Sequence, residues 1–471
     1  MIAGPVRPAA GVEDRHVAVA VLAVLFFLSG FSALVYQIVW LRLLALVFGV
    51  TVYAASAVLT SFMAGLALGS WLGGRLADRT PHPLRAFALL ELGIAISALL
   101  VPIALDAVGA LYIALHARVP NALAILTVVR LLCSALVLLV PTTLMGASLP
   151  LLSRYVSTSG GTVAVRIGAL YATNTAGGIV GTVLAGYVFI GGFGIATTTR
   201  LAAMGNIAVG LCALILARGR RHSAAATAPS RAIEEPNLPT SGPRIVLLVL
   251  FLAGFAGLAL EVVWFRLLVL FLPATIYAFT TMLATVLLVI ALGSAVAAAR
   301  VRRSPDPARA LAWIQIWTGV LTVLSMAALA YTYSIGWRTS GVIQACVVAM
   351  LPATTLMGAT FPFALALWLR GSTHAVGRRV GALYAVNVCG AVIGAVVGGF
   401  VLLPLAGTRL SLLLLATAYV LSGCVLAAVS TSRRTLVRIG ATAVASFTLA
   451  TLTLPDIYAS VLRRRYGRNE R

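Results

Sequence analysis

The sequence predicts an all-α integral membrane protein made of two six-helix repeats in parallel orientation. Three observations carry that prediction. Of 471 residues, 61% are hydrophobic and only 10% are charged, whereas a soluble globular chain devotes roughly a quarter of its residues to charge. The apolar residues come in blocks of about 20, the length a helix needs to cross a hydrocarbon core about 30 Å thick. The second half of the chain also repeats the first. The same composition excludes a water-soluble enzyme, a disordered chain and a disulfide-stapled secreted domain. A formal charge of +23 would suggest nucleic acid in a soluble protein. Here the arginines fall between apolar blocks, so they read as membrane topology, and no nucleic-acid partner is expected.

Twelve spans follow in order: 17–41, 52–74, 85–106, 122–149, 166–190, 198–217, 245–271, 275–299, 309–333, 340–368, 380–403 and 409–430. The first is too long for a signal-peptide core and lacks a clean cleavage site, so it reads as a retained helix behind a cytoplasmic tail, 1–16. With the next five spans it makes the first repeat, 17–217. The polar stretch 218–243, with Arg218, Arg220, Arg221, Glu234 and Glu235, reads as a cytoplasmic linker. The remaining six spans make the second repeat, 244–430. A last region, 431–471, holds a thirteenth apolar segment, 436–455, and an Arg-rich tail. Thr442, Ser446 and Thr453 share a helical face with Arg438, so this segment either spans or lies in the interface.

Orientation follows from the arginines. A cytoplasmic N-terminus puts Arg75, Arg79, Arg85, Arg154, Arg166, the arginines of 218–244, Arg300, Arg302, Arg303, Arg309, Arg370, Arg378 and Arg379 on one side. The opposite connections carry single arginines such as Arg118, Arg200, Arg338 and Arg409. A spanning 436–455 would put Arg463, Arg464 and Arg465 on the wrong side, which argues against a crossing there.

The duplication is visible residue by residue. LSGFSALVYQIVWLRLLALVFGVTVYA (28–54) aligns without a gap with LAGFAGLALEVVWFRLLVLFLPATIYA (252–278), an offset of 224. TTLMGASLP (142–150) aligns with TTLMGATFP (354–362), and RIGALYATN (166–174) with RVGALYAVN (379–387). Gly177, Gly181 and Gly186 keep step with Gly390, Gly394 and Gly399. An even number of spans returns the chain to the same side, so both repeats enter the membrane alike, with an interface between them. That is a major-facilitator-like plan. Gly74-Arg75-Leu76-Ala77-Asp78-Arg79, after the second span, resembles the G-x-L-A-D-R loop of that superfamily, which implies a conformational role for Gly74, Asp78 and Arg79. The second half has Arg302 where that Asp would stand.

Three acids lie in or beside the spans: Glu91, Asp106 and Glu261. An ionised side chain at mid-membrane costs about 2.5–3.5 kcal/mol on insertion scales, so each needs a reason. The offset places Glu261 opposite Gln37 and Glu91 opposite Gln315, one acid and one amide in each pair. These four are the candidate interior site: carboxylates that hold a cation, or one that titrates during transport. The alternative is that Glu261 is neutralised by Arg266 or another helix while the amides bond between helices. Asp106 reads as an interfacial acid. Asn174 and Asn387, each three residues after a tyrosine, are secondary candidates for a ligand or for a neighbouring backbone. Trp40 and Trp264, each two residues before an arginine, read as interface anchors, with a gating ion pair as the alternative.

The glycine steps read as close-packing faces. Pro141, Pro150, Pro352 and Pro362 bracket the TTLMGA stretches, where the threonines could satisfy carbonyls that proline frees. Gly191-Gly192-Phe193-Gly194 follows an apolar helix and lacks the later acid of a nucleotide loop. All 34 basic residues are Arg, which excludes lysine chemistry. The five cysteines lie in apolar segments as small buried side chains, and the histidines do not cluster, so no metal, cofactor or catalytic centre is expected.

SGFSALVYQIVWLRLL, AGLALGSWLGGRLADR, LMGASLPLLSRYV and RIGALYATNTAGGIVG together resemble the membrane region of bacterial spermidine-synthase-like fusion proteins, over about 17–430. That resemblance implies a major-facilitator-like module in the bacterial inner membrane that moves or presents a small cationic metabolite such as a polyamine. Its alternative is a non-transporting anchor for a separate aminopropyltransferase-like subunit. In such fusions a soluble domain follows, and 454–471 looks like its junction, so the family's enzymatic activity is not expected of these residues. The family usually has Tyr-Glu where Tyr36-Gln37 stands.

Overall fold

The computed structural model describes residues 10–48, 51–118, 123–157, 163–219, 244–269, 275–301, 303–334, 339–368, 376–430 and 433–453. Every regular element among them is helical, as expected where lipid offers a backbone N–H or C=O no partner and a helix pairs each within its own segment. In order they are α1 (Ala10–Phe48), α2 (Thr51–Arg79), α3 (Pro83–Arg118), α4 (Leu123–Ser157), α5 (Val163–Leu184), α6 (Ile190–Gly219), α7 (Ile245–Leu268), α8 (Thr275–Val301), α9 (Pro307–Ser334), α10 (Thr339–Trp368), α11 (Val376–Val397), α12 (Leu403–Ser430) and α13 (Arg433–Thr453). A π-helical turn joins α5 to α6 (Ala185–Phe189), and another joins α11 to α12 (Gly398–Leu402). Among the described residues, ten helical runs are long and apolar enough to cross a membrane.

Helices outlast the apolar blocks that announce them. α3 runs on to Arg118, because 107–115 stays rich in Ala, Leu and Ile and holds no proline. Asp106 is therefore an exposed residue inside a helix, well short of its end. The Gly74–Arg79 motif likewise lies in the last turns of α2 and forms no loop. Arg75 there sits over the Trp71 ring, 3.7 Å from its centroid, a cation–π contact. Arg79 is exposed, and the side chain of Asp78 lies outside the described residues.

Two glycines end long runs. Gly194 (φ 77°, ψ 171°) and Gly407 (φ 68°, ψ 179°) interrupt the helices at equivalent places in the duplication. Both fall in a region of backbone space that is essentially closed to side chains. The Gly191–Gly194 run thus serves a sharp turn between apolar helices.

The chain divides into two compact units. The first comprises Met1–Val39, Leu68–Val101 and Val140–Ala228; the second comprises Trp40–Ala67, Pro102–Leu139 and Pro229–Arg471. In the first, Leu22, Phe26, Phe87, Leu151, Leu152 and Val209 form a closed apolar core, with Phe26 edge-on to Phe87 at 6.3 Å. In the second, α7 packs on α8, α10, α11 and α12.

Glycine sets the helix crossings in both units. A Cβ on Gly177 or Gly181 would run into the backbone of Phe27 or Phe31, and one on Gly69 into Thr143. The duplicated positions behave alike: Gly390 against Phe251, Gly394 against Phe255 and Gly293 against Thr355. The close-packing reading of the glycine steps matches these contacts. α4 and α10 run unbroken through their prolines. The threonines of α10 do not serve the carbonyls that proline frees. Thr354 and Thr355 donate to Met350 and Leu351 at 2.6 and 2.7 Å, one turn back along their own helix.

Two expectations need correction. Trp40 and Trp264 are 0% and 1% exposed, so they are core side chains and no interface anchors; only the neighbouring Arg42 is exposed. Cys212 and Cys389 are exposed on the helix surface, as small apolar side chains can be where lipid is the solvent. The 436–455 segment is a helix, α13, that packs on α9 and α12. Val444 and Leu452 stand exposed on it at 67% and 80%.

Because nothing lies near a Cβ built on Gly194 or Gly407, their cost to substitution is conformational. Gly407→Ala is expected to lower stability in detergent by about 1–3 kcal/mol. Gly191→Ala or Gly192→Ala, in equally open space, should be neutral or slightly stabilising by up to about 1 kcal/mol. Thermal unfolding of the purified variants measures both.

Candidate functional site

The four interior candidates part into two kinds of surroundings. Glu91 on α3 is 0% exposed, and its carboxylate is enclosed by hydrogen-bond donors. Ser29 of α1 donates to Oε1 at 2.7 Å, Ser148 of α4 reaches the same oxygen at 3.4 Å, and Asn206 of α6 donates through Nδ2 to Oε2 at 2.6 Å. Four helices of the first unit thus meet on one carboxylate. No arginine or histidine bonds to it among the described residues.

Gln315, also 0% exposed, holds the equivalent place on α9. Its Nε2 donates to Thr360 at 3.1 Å, and Ser422 donates to its Oε1 at 3.2 Å. Thr360 is the duplicate of Ser148, and Tyr419 is the duplicate of Asn206. The Tyr419 hydroxyl donates to the carbonyl of Ala253 at 3.0 Å, and Ala253 is the duplicate of Ser29. The equivalent four helices are therefore tied at the same level in both units, through one acid in the first and through an amide and a tyrosine in the second.

Glu261 is different. It lies on α7, where only Leu248 is strongly exposed, so this helix is walled by protein along nearly its whole length. Glu261 itself is partly exposed. No hydrogen bond or ion pair to it is seen among the described residues. Tyr419 is near enough to feel its charge. Gly257, one turn before it, faces the Tyr419 hydroxyl, which sets Glu261 on the side of α7 toward α12. Gln37, its duplicate, is buried on α1 at 2% exposure.

The asparagines lie at glycine crossings. Asn174 donates to the carbonyl of Phe26 at 3.0 Å, with its own carbonyl against Gly30. Asn387 presses its carbonyl against Gly254. Among the alternatives read from sequence, these contacts are to the backbone of a neighbouring helix. Tyr171 and Tyr384, one turn earlier, are exposed at 56% and 39%. Among the described residues no three His, Cys, Asp or Glu side chains gather where a metal could be held.

Reading the acids and their repeat-related partners alone misses Ser29, Ser148, Asn206, Thr360, Tyr419 and Ser422. Serine and threonine in apolar helices commonly bond back to their own helix, as Ser97 and Thr281 do here, so their presence carries little signal. The duplication carries more: it sets Ser148 against Thr360 and Asn206 against Tyr419, polar opposite polar in otherwise apolar helices.

With that geometry in place, the fold can be compared with known structures. An auto-inhibited peptide transporter of the POT family matches at 13% identity over 87% of this chain and 96% of its own, with a TM-score of 0.60. The nucleoside transporter NupG matches at 15% identity over 86% and 98%, with a TM-score of 0.56. The xylose transporter XylE from E. coli, in an inward-open conformation, matches at 12% identity over 90% and 99%, with a TM-score of 0.53. The chain has the multi-pass, major-facilitator-like fold of these transporters; at such identities the likeness concerns fold alone. No protein-family model and no curated protein matches the sequence.

Removing a donor from the Glu91 cluster tests its weight. Asn206→Leu leaves Oε2 without its bond and should cost about 1–3 kcal/mol. Ser148→Ala removes a long contact and should cost well under 1 kcal/mol, within the range of hydrogen bonds between membrane helices. Unfolding in detergent, compared across the two variants, checks the order.

Proposed function

We propose that the chain is a transporter of a small cationic metabolite, of polyamine type, that works by alternating access between two six-helix repeats. The transporter fold supports movement of a solute in general. The observation that carries the cationic reading is Glu261: an acidic residue of intermediate exposure on a helix enclosed by protein, with no bonded cation among the described residues. An acid so placed favours a transported cation as its partner, because an unpaired charge in the membrane interior is costly.

Twelve crossings are the reading of the helix lengths. Two of the ten apolar runs, Leu170–Arg218 and Ala382–Ser430, are 49 residues long, about 73 Å of helix at 1.5 Å per residue. That is more than twice the hydrocarbon thickness, and each run is interrupted midway by Gly194 or Gly407. Counting each as two crossings turns ten into twelve, six per repeat. Repeat-related glycine crossings and repeat-related polar clusters support the duplication. The arginine distribution supports an N-terminus in the cytoplasm and α13 as an interfacial helix, and the resemblance to spermidine-synthase-like fusions supports a bacterial inner membrane. The resemblance to spermidine-synthase-like fusions supports polyamines as the solute class. It also supports a second role, anchoring a separate aminopropyltransferase-like subunit.

Uptake of labelled spermidine by proteoliposomes tests the proposal. Wild-type vesicles should exceed protein-free vesicles, and Glu261→Gln should lower uptake at least tenfold while leaving the melting temperature unchanged. Equal uptake with and without protein would contradict transport of this class and leave the anchoring role. Equal uptake by wild type and Glu261→Gln would remove Glu261 from the site.

A further inference from the structure

We propose that Glu91 is a proton-binding site built into the first unit, distinct from the solute site at Glu261. The duplication supplies the argument. The second unit shows what this position needs structurally: Gln315 donates to Thr360 and accepts from Ser422, while Tyr419 makes the link to α7. Uncharged side chains do that. The first unit puts an acid at the same position, where charge costs about 2.5–3.5 kcal/mol. The second unit holds the equivalent helices together without that cost, and a reversible protonation gives the acid a use.

The surroundings suit both states of the acid. The ionised carboxylate accepts from Ser29, Ser148 and Asn206, so its charge is met by three fixed donors. When a proton from water adds to Oε2, the carboxylate becomes a neutral acid that donates one bond. Asn206 Oδ1 is buried and without a partner, and rotation of that amide presents it to the new O–H. One proton is taken up from the solvent and one negative charge is lost; the Nδ2–H bond to Oε2 is exchanged for an O–H bond to Oδ1, and no other covalent bond changes.

The groups facing Glu91 leave the titration to it. α1 presents Ser29 and the phenol of Tyr36, which lies near enough to feel the carboxylate charge. α4 presents a hydroxyl and α6 an amide. Arg85 on α3, Arg154 on α4 and Arg200 on α6 each stand six residues from the cluster member of their own helix, about 9 Å of helix rise away. Loss of the charge weakens three bonds from α1, α4 and α6 together, so proton uptake bears on how these helices hold α3. This reading does not depend on which solute is carried, or on whether one is.

Infrared difference spectra of the full-length protein in lipid, recorded between alkaline and mildly acidic pH, test the proposal without a transport assay. Wild type should gain a protonated-carboxyl carbonyl band on acidification. Glu91→Gln should lose that band and keep its thermal midpoint, as the Gln315 cluster predicts, whereas Glu261→Gln should retain it. Ser29→Ala provides a second variant: removal of one bond to Oε1 should shift the frequency of the same band. An identical band in wild type and Glu91→Gln would overturn the proposal. Should Glu91→Gln not fold, an unshifted band in Ser29→Ala would overturn it equally.

Discussion

Close approach of helix backbones at glycine is the constraint on which the rest of this structure depends. Lipid tails are as apolar as leucine side chains, so burying apolar surface does little to bring membrane helices together, and contact must come from tight packing and polar ties. Gly177 and Gly181 let α5 lie against the backbone of α1, and Gly390 and Gly394 do the same for α11 on α7. Only at such distances can Asn174 reach the carbonyl of Phe26. A side chain at any of these glycines would separate the helices and strand the polar groups between them.

The polar clusters follow from that closeness. Once α1, α3, α4 and α6 lie near one another, a single carboxylate can collect donors from three of them, and in the second unit Gln315 and Tyr419 serve the same tie. The halves thus share a scaffold and differ in charge. The scaffold needs hydrogen bonds at this point and does not need an ion. Glu261 belongs to neither cluster. It stands partly exposed on α7, without a bonded partner among the described residues, which is why the functional proposal rests on it.

Much of the fold is legible in the sequence. Apolar blocks near 20 residues mark the helices, because length and the absence of water determine them. The paired glycines mark the crossings, and the breaks near 191–197 and 404–408 fall where Gly194 and Gly407 turn the chain. Helix ends are less legible: α3 continues past 106 because alanine and leucine suit helix and membrane interior alike. Trp40 and Trp264 mislead for a related reason, since an indole suits a membrane interface and a protein core equally well. Of the site, the pairing of Glu91 with Gln315 and of Glu261 with Gln37 can be read from the offset. Their division into enclosed ties and a partly exposed acid cannot, because it depends on serines, an asparagine and a tyrosine from helices far apart in sequence.

The central claim is that the two membrane acids differ in access: Glu91 is sealed inside a helix tie, and Glu261 is proposed to be reachable by solute. Thiol accessibility measures this directly. In a background where Cys133, Cys212, Cys346, Cys389 and Cys424 are replaced by serine, a membrane-impermeant thiol reagent should modify Glu261→Cys in lipid vesicles and leave Glu91→Cys unmodified until the protein is unfolded. Modification of Glu91→Cys in the folded protein, with Glu261→Cys protected, would contradict the account.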